Sequence, residues 1–271
     1  MVTQEQRKRQ LAREKFLRQQ QRRTAARRKA RMRNSVIASV LGVILVGSLA
    51  LYTSDVLKGD DDKSDAAAAT PSPTPSAIAD PCKKPAEGKA KTATWKKEPS
   101  MTIDKSAKYT MKLATTCGDI DIALKTKAAP HTVNSFDFLA AKGYFDHTKC
   151  HRLTTNGIYV LQCGDPTGSG SGGPGYTIPD ENLKDKSLKD NVYPAGTIAM
   201  ANTGQAHTGG SQFFLVYQDS QLPPSYTPFG TVSKSGMTVL KKIAAAGEST
   251  GAGDGAPNAT VVINKATVTK S

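Results

Sequence analysis

From Ser35 to Tyr52 the chain reads SVIASVLGVILVGSLALY, eighteen residues without a charge, directly behind thirteen lysines and arginines in the first 34 residues. As a helix rising ~1.5 Å per residue this run spans roughly 27 Å, enough to cross the hydrocarbon of a bilayer. The chain must therefore be read in unlike pieces. A cleaved signal peptide shares the basic-then-apolar order. However, 34 residues exceed a usual n-region and eighteen exceed the ~7–15 of an h-region, which favours a retained anchor. The positive-inside bias keeps residues 1–34 in the cytoplasm and puts everything after Tyr52 outside.

The charge is as segregated as the hydropathy. Only Glu5 and Glu14 oppose the thirteen basic residues of the tail, so it holds about +11 of the formal +14. The rest of the chain is nearly neutral, which excludes a basic globular domain. The tail has helix formers but no apolar stripe, and its charge suits anionic lipid head groups at roughly 1 kcal/mol per residue. Without aromatic interleaving or a recognised module, no nucleic-acid partner is expected.

Residues 53–107 read as a disordered spacer and extension, with Asp60–Asp62, an alanine run and TPSPTPS at Thr70–Ser76. Such composition buries almost nothing. Cys82, Cys117, Cys150 and Cys163 all follow the anchor. On an oxidising side they imply one or two disulfides, with three pairings open. The alternative, a zinc site, lacks CxxC or HxxxH spacing.

Residues 108–271 carry the patterns of a folded domain. Tyr109, Met111 and Leu113, then Ile120, Ile122 and Leu124, alternate on either side of Cys117-Gly118 and predict two strands joined by a tight turn. Pro130 opens a helical spacing of Val133, Phe136, Leu139 and Ala140 that Gly143 closes. A second helix is predicted over Met237–Ala246. Short apolar runs at Gly157–Gln162, Thr197–Ala201, Gln212–Val216, Phe229–Val232 and Thr260–Ile263 predict further strands. Many short strands with two helices point to a barrel or sandwich, and closure removes exposed edges.

Three stretches carry chemistry: CHRLTTNGIYVLQCGD at Cys150–Asp165, MANTGQAHTGGSQFF at Met200–Phe214 and LPPSYTPFG at Leu222–Gly230. In this order, over about Lys108–Thr267, they resemble the cyclophilin family of peptidyl-prolyl isomerases, in a membrane-anchored, actinobacterial-like form. The resemblance implies a mainly β fold, a closed eight-stranded antiparallel barrel capped by two α-helices. It assigns Arg152 as the catalytic arginine and Gln162 as the glutamine that orients it. It gives Ala201 and Asn202 the backbone that holds a peptide, and makes Gln212 the second glutamine. Phe214 becomes the floor of a proline pocket, with Tyr159, Val160, Leu222 and Tyr226 on its rim. Gln221 stands where animal members have tryptophan. Ten positions separate Arg152 from Gln162 where eight is usual, which bears on Tyr159 and Val160 more than on the arginine. No cofactor is implied. The expected partners are proline-containing polypeptides and a membrane, and the expected catalytic domain is monomeric.

Elementary chemistry agrees with that set. An X-Pro amide rotates behind a barrier of ~18–20 kcal/mol, and no bond need be made or broken to lower it. A fixed guanidinium aimed at the pyramidal prolyl nitrogen binds the twisted state better than either planar isomer. The rival is a non-catalytic proline-binding module, which needs the pocket but not a placed arginine. His151, next to Arg152, alternates to the opposite face and reads as structural. His131, His147 and His207 lack a Ser or Cys nucleophile pattern. Gly168–Gly175 reads as a mobile loop rather than a phosphate cradle, since no GK[ST] follows. Trp95 precedes the barrel and packs or anchors the linker.

Overall fold

Alternation builds the first pair of strands as the sequence predicts. β1 (Tyr109–Thr115) and β2 (Gly118–Leu124) run antiparallel, Tyr109 opposite Leu124 and Thr115 opposite Gly118. Tyr109, Met111, Leu113, Ile120, Ile122 and Leu124 all point into the core. The computed structural model describes residues 79–271. The basic tail, the Ser35–Tyr52 anchor and the spacer as far as residue 78 lie outside the described residues. Among the described residues no helix is long and apolar enough to cross a membrane.

The remaining strands are short: β3 (Thr148–Lys149), β4 (Arg152–Thr154), β5 (Val160–Cys163), β6 (Val192–Tyr193), β7 (Thr197–Met200), β8 (Phe213–Val216), β9 (Ser220–Gln221), β10 (Pro228–Val232) and β11 (Asp254–Gly255), before the long β12 (Val262–Lys270). Ten of them form one curled antiparallel sheet in the order β11-β4-β5-β8-β7-β10-β2-β1-β12-β3, and β6 pairs with β9 apart from it. The expected closed eight-stranded barrel is thus corrected. The ladder has two ends and does not close, because the strand that would close it breaks at Cys150-His151. Its first half pairs with β12 and its second with β5. Single bonds from Cys150 N to Val261 O (3.0 Å) and from His151 N to Gln162 O (3.1 Å) flank the seam in place of a continuous ladder.

Two helices cover the sheet. α1 (Pro130–Ala141) has proline in its first turn and buries Val133, Phe136, Leu139 and Ala140. Its N-cap residue Ala129 offers no side-chain oxygen, and the Glu181 carboxylate instead accepts from His131 N (3.0 Å) and Thr132 N (2.8 Å). A carboxylate at this end also suits the helix dipole. α2 (Lys234–Ala245) begins three residues before the predicted start, capped by Ser233 Oγ, which accepts from Gly236 N at 3.1 Å. Gly236 is a packing residue and not a boundary: a Cβ there would lie 2.8 Å from Val232 Cγ1 and 3.1 Å from Ile120 Cγ2. At the core Phe136 meets Phe229, Phe145 and Phe213 with ring centroids 4.6, 5.2 and 5.6 Å away. All four are fully buried, and pairs of this kind add ~0.5–1.5 kcal/mol each beyond their area.

The cysteines pair Cys82–Cys117 and Cys150–Cys163. The first bridge fastens the extension to the β1–β2 turn. Residues 79–107 hold no helix or strand yet are tied down along their length. Lys83 N donates to Thr116 O (2.9 Å), Ala86 N to Asn264 Oδ1 (3.0 Å) and Thr102 N to Asn134 Oδ1 (2.8 Å). Trp95 packs edge-on against Phe138 at 5.2 Å, an anchor for the extension as its position before the sheet implies.

Candidate active site

The site is one row of the sheet. Arg152 on β4 faces Gln162 on β5, Gln162 faces Phe214 on β8, and Phe214 faces Ala199 on β7. Alternation does the rest. Leu153, Leu161, Phe213 and Ile198, each next in sequence to one of these, belong to the main core. Val160, Ala199, Phe214 and Val216 form a separate apolar cluster with Tyr193 on the other face. Residues distant in sequence thus share a face because the register leaves them no alternative.

Hydrogen bonds then hold the polar members. The Arg152 guanidinium donates through Nε to Asp254 Oδ1 (2.7 Å), through Nη2 to Asp254 Oδ2 (2.9 Å) and through Nη1 to Gln162 Oε1 (3.1 Å). Three of its five N–H groups are used and two remain. The Asp254 carboxylate raises the guanidinium pKa above its already high value, more than burial lowers it. Gln162 Nε2 donates to Gln212 Oε1 (2.9 Å), and Gln212 Nε2 donates to the carbonyls of Gly170 (3.0 Å) and Gly172 (2.9 Å). The relay ends on Asp165, fully buried, whose oxygens accept from Gly170 N, Gly172 N and the Thr167 amide and hydroxyl. Burial opposes the charge of Asp165, but the bonds from Thr167, Gly172 and Gly170 outweigh it and bring its pKa to about 2.

A cavity of about 220 Å³ lies over this row. Arg152 and Gln162 line one side, and Val160 and Phe214 lie at its base. Ala201, Asn202, Leu222 and Tyr226 complete it. Ala201 N donates to Gln212 O (2.9 Å), and Asn202 Nδ2 to Ser225 O (2.8 Å). The Tyr226 ring stands at 82° to Phe214, 5.3 Å away. Tyr159 is the exception among the residues assigned by resemblance. Its ring packs against Tyr217 at 5.9 Å, its amide donates to Ser220 Oγ, and Ile158 lines the cavity in its stead. The long β4–β5 connection carries an Asn156–Ile158 bridge, and Ile158 reaches the cavity while Val160 keeps its assigned place. Gln221 is exposed on β9 and does not line this cavity.

The histidines take other duties. His151 packs its ring behind Gly170, and its two buried ring nitrogens have no hydrogen-bond partner among the described residues. Burial, with help from Arg152, pushes its pKa below the ordinary value against the pull of Asp165. His131 Nδ1 lies 3.4 Å from Glu98, and His207 Nδ1 accepts from Asp180 N. Among the described residues no group of three or more His, Cys, Asp or Glu is placed to hold a metal.

An arginine braced beside an apolar, proline-sized cavity narrows the choice of relatives, and comparison with known proteins agrees. Residues 110–268 match the family model described as cyclophilin type peptidyl-prolyl cis-trans isomerase/CLD. The chain belongs to the cyclophilin family. It is 46% identical over 199 residues to a probable peptidyl-prolyl cis-trans isomerase B of Mycobacterium leprae, across 70% of this chain and 63% of that one. A Mycobacterium tuberculosis protein of the same description is 45% identical, across 70% and 60%. The chain therefore spans about three fifths of the length of these relatives. A crystal structure of a cyclophilin type isomerase from Cryptosporidium parvum superposes with a TM-score of 0.51 at 26% identity, covering 60% of this chain and 99% of that one.

Asp254 and Asp165, which hold the polar members of the row in place, are residues that sequence reasoning passed over. Asp254 is 102 positions from its arginine, in a glycine-rich stretch with no periodicity. Asp165 ended a quoted motif, and its place just before a glycine loop was the available signal.

Proposed function

We propose that the chain is a peptidyl-prolyl cis-trans isomerase that works outside the cytoplasm, held by the Ser35–Tyr52 anchor, on exposed X-Pro bonds of exported or cell-envelope polypeptides. The row Arg152-Gln162-Phe214 under a proline-sized cavity carries the reading. A prolyl ring seated against Phe214, Val160, Ile158 and Leu222 sheds water from its amide, which disfavours the charge-separated planar form. The braced guanidinium then donates to the nitrogen lone pair that appears only as the bond twists. No group is transferred, so the chemistry calls for no cofactor.

Rotation in tens of seconds without catalysis, against a typical enzymatic ~10³ s⁻¹, asks for roughly 6–7 kcal/mol. One preorganised donor supplies about half, and the dry walls must supply most of the rest. Two disulfides support an oxidising compartment, and the mycobacterial relatives support the actinobacterial-like placement. The catalytic domain is read as a monomer. The test is a protease-coupled assay of proline tetrapeptides with the full chain in detergent. Acceleration that saturates with enzyme-bound peptide is expected, whereas peptide binding without acceleration would make the chain a proline-binding module. For the location, protease added to intact cells should release the domain by cutting within residues 53–81, and cleavage only after lysis would refute it.

A further inference from the structure

Beside the proline-sized cavity opens a larger one of about 1120 Å³, which shares Gln162, Ala201 and Asn202 with it and adds Gln212. The shared residues put this groove within reach of one flank of a peptide whose proline rests on Phe214. One wall is the glycine-rich stretch Gly170–Gly175. Another is Lys96, Lys97 and Glu98, which lie before the family match begins at residue 110.

That outer wall stands on fixed backbone. Trp95 N donates to Pro174 O at 2.8 Å, and the Trp95 ring packs against Phe138 and, at 5.8 Å, Tyr144. Gly175, at φ +85°, lets the two segments touch: a Cβ there would come within 2.9 Å of Thr94 Cβ and Trp95 O. The extension thus docks on the loop whose carbonyls hold Gln212. The charges on the wall are unequal. Glu98 is 3.4 Å from His131, whereas Lys96 and Lys97 make no ion pair among the described residues.

We propose that the extension gives this groove a charge preference, in which Lys96 and Lys97 select acidic side chains flanking the proline. The inference rests on the isomerase reading and names its substrate class. Charges beside a groove act on a bound carboxylate through solvent, so the effect is modest and salt-sensitive. The test uses the full chain and alanine-based peptides carrying one Asp or one Lys within three residues on either side of the proline. At one flank the Asp peptide should exceed the Lys peptide in kcat/KM by about fivefold or more at low salt, shrinking as salt is added. K96E/K97E should abolish or invert that ratio, and the neutral K96Q/K97Q should bring it near one, which separates charge from loss of fold. A ratio within about twofold at every position, or a preference that both variants leave intact, overturns the proposal. Turnover of the uncharged parent peptide keeps the two readings apart. No turnover by wild type sinks the isomerase reading itself, and turnover without charge preference sinks only this one.

Discussion

The floor of the site and its rim are built in different ways. Arg152, Gln162, Phe214 and Ala199 sit on consecutive strands in one register row, with a close-packed aromatic core behind them. A one-residue slip of β5 or β8 would turn its whole set inward, so the register is strongly held. The rim comes from connections: the β4–β5 loop that brings Ile158, the Gly170–Gly175 stretch, and the extension from residue 79. These segments have few ladder bonds and rely on single anchors such as Asp165, Trp95 and the Cys82–Cys117 bridge. A ladder fixes where the chemistry happens, while anchored loops decide what fits. Variants of the floor should therefore act on turnover, and variants of the rim on substrate choice or on the state of an anchor.

Arg152→Ala should give the largest effect, a loss of at least about a hundredfold in kcat/KM, or ~2.7 kcal/mol of transition-state stabilisation. Circular dichroism should be unchanged, because the side chain touches the site and not the core. A folded variant that keeps more than a tenth of wild-type activity would remove the arginine from its role. Asp165→Asn comes next. It replaces the acceptor of several donors by an amide that accepts at one atom only, so the glycine loop, Gln212 and Gln162 lose their common brace. A drop of about tenfold in kcat, with KM changed less, is expected.

The same residue sets an acid limit. The Asp165 pKa in the fold, about 2, is below its reference of 3.8. Its stabilisation is therefore present above about pH 4 and lost as pH falls from there toward 2. His151, also depressed, adds a loss that starts as pH falls through its reference of 6.5. Melting temperature against pH should fall in both windows for wild type. Asp165→Asn should make only the lower fall shallower, since Asp185, Asp104, Asp80 and Glu248 are also held below their reference values and keep the rest of it, and an unchanged lower window would mean that Asp165 is not charged in the fold.

What could be read from sequence follows the same division. β1, β2 and α1 came from periodicity because each buries one face along its whole length. The Arg152, Gln162 and Phe214 assignments followed from motifs, and strand register brings these residues together. The seam at Cys150-His151 was not legible: β3 and β4 are two and three residues long, too short for any period. Nor was the pairing of Arg152 with Asp254, a contact across the β4–β11 pair whose second strand is two residues long and carries no period. The extension looked like spacer by composition, since its order comes from one tryptophan, one disulfide and scattered hydrogen bonds.

The place of Ile158 in the cavity, where Tyr159 was expected, supplies a smaller test. Ile158→Ala removes an apolar wall of the cavity and should raise KM by about fivefold, near 1 kcal/mol for part of a side chain's burial, with kcat nearly kept. Tyr159→Phe should leave both constants within about twofold, because the Tyr159 ring lies on Tyr217 outside the cavity. The opposite ranking in peptide titrations would put the loop back in the register that the family resemblance implied.

Asp254→Asn should cost less than Ile158→Ala and decides how much bracing the floor needs. The pair is bidentate but half open to water, with side chains 37% and 56% exposed, so its coupling belongs with surface ion pairs at ~0.2–1 kcal/mol. The asparagine keeps one acceptor for Nε and loses the second, and Gln162 still holds Nη1. A fall of about two- to fourfold in kcat/KM is expected. Raising the salt should narrow the gap between wild type and variant, because screening weakens what the variant lacks. A loss as large as that of Arg152→Ala would mean that the Arg152-Gln162-Phe214 row alone does not orient the guanidinium, and that Asp254 on the short edge strand β11 belongs to the floor.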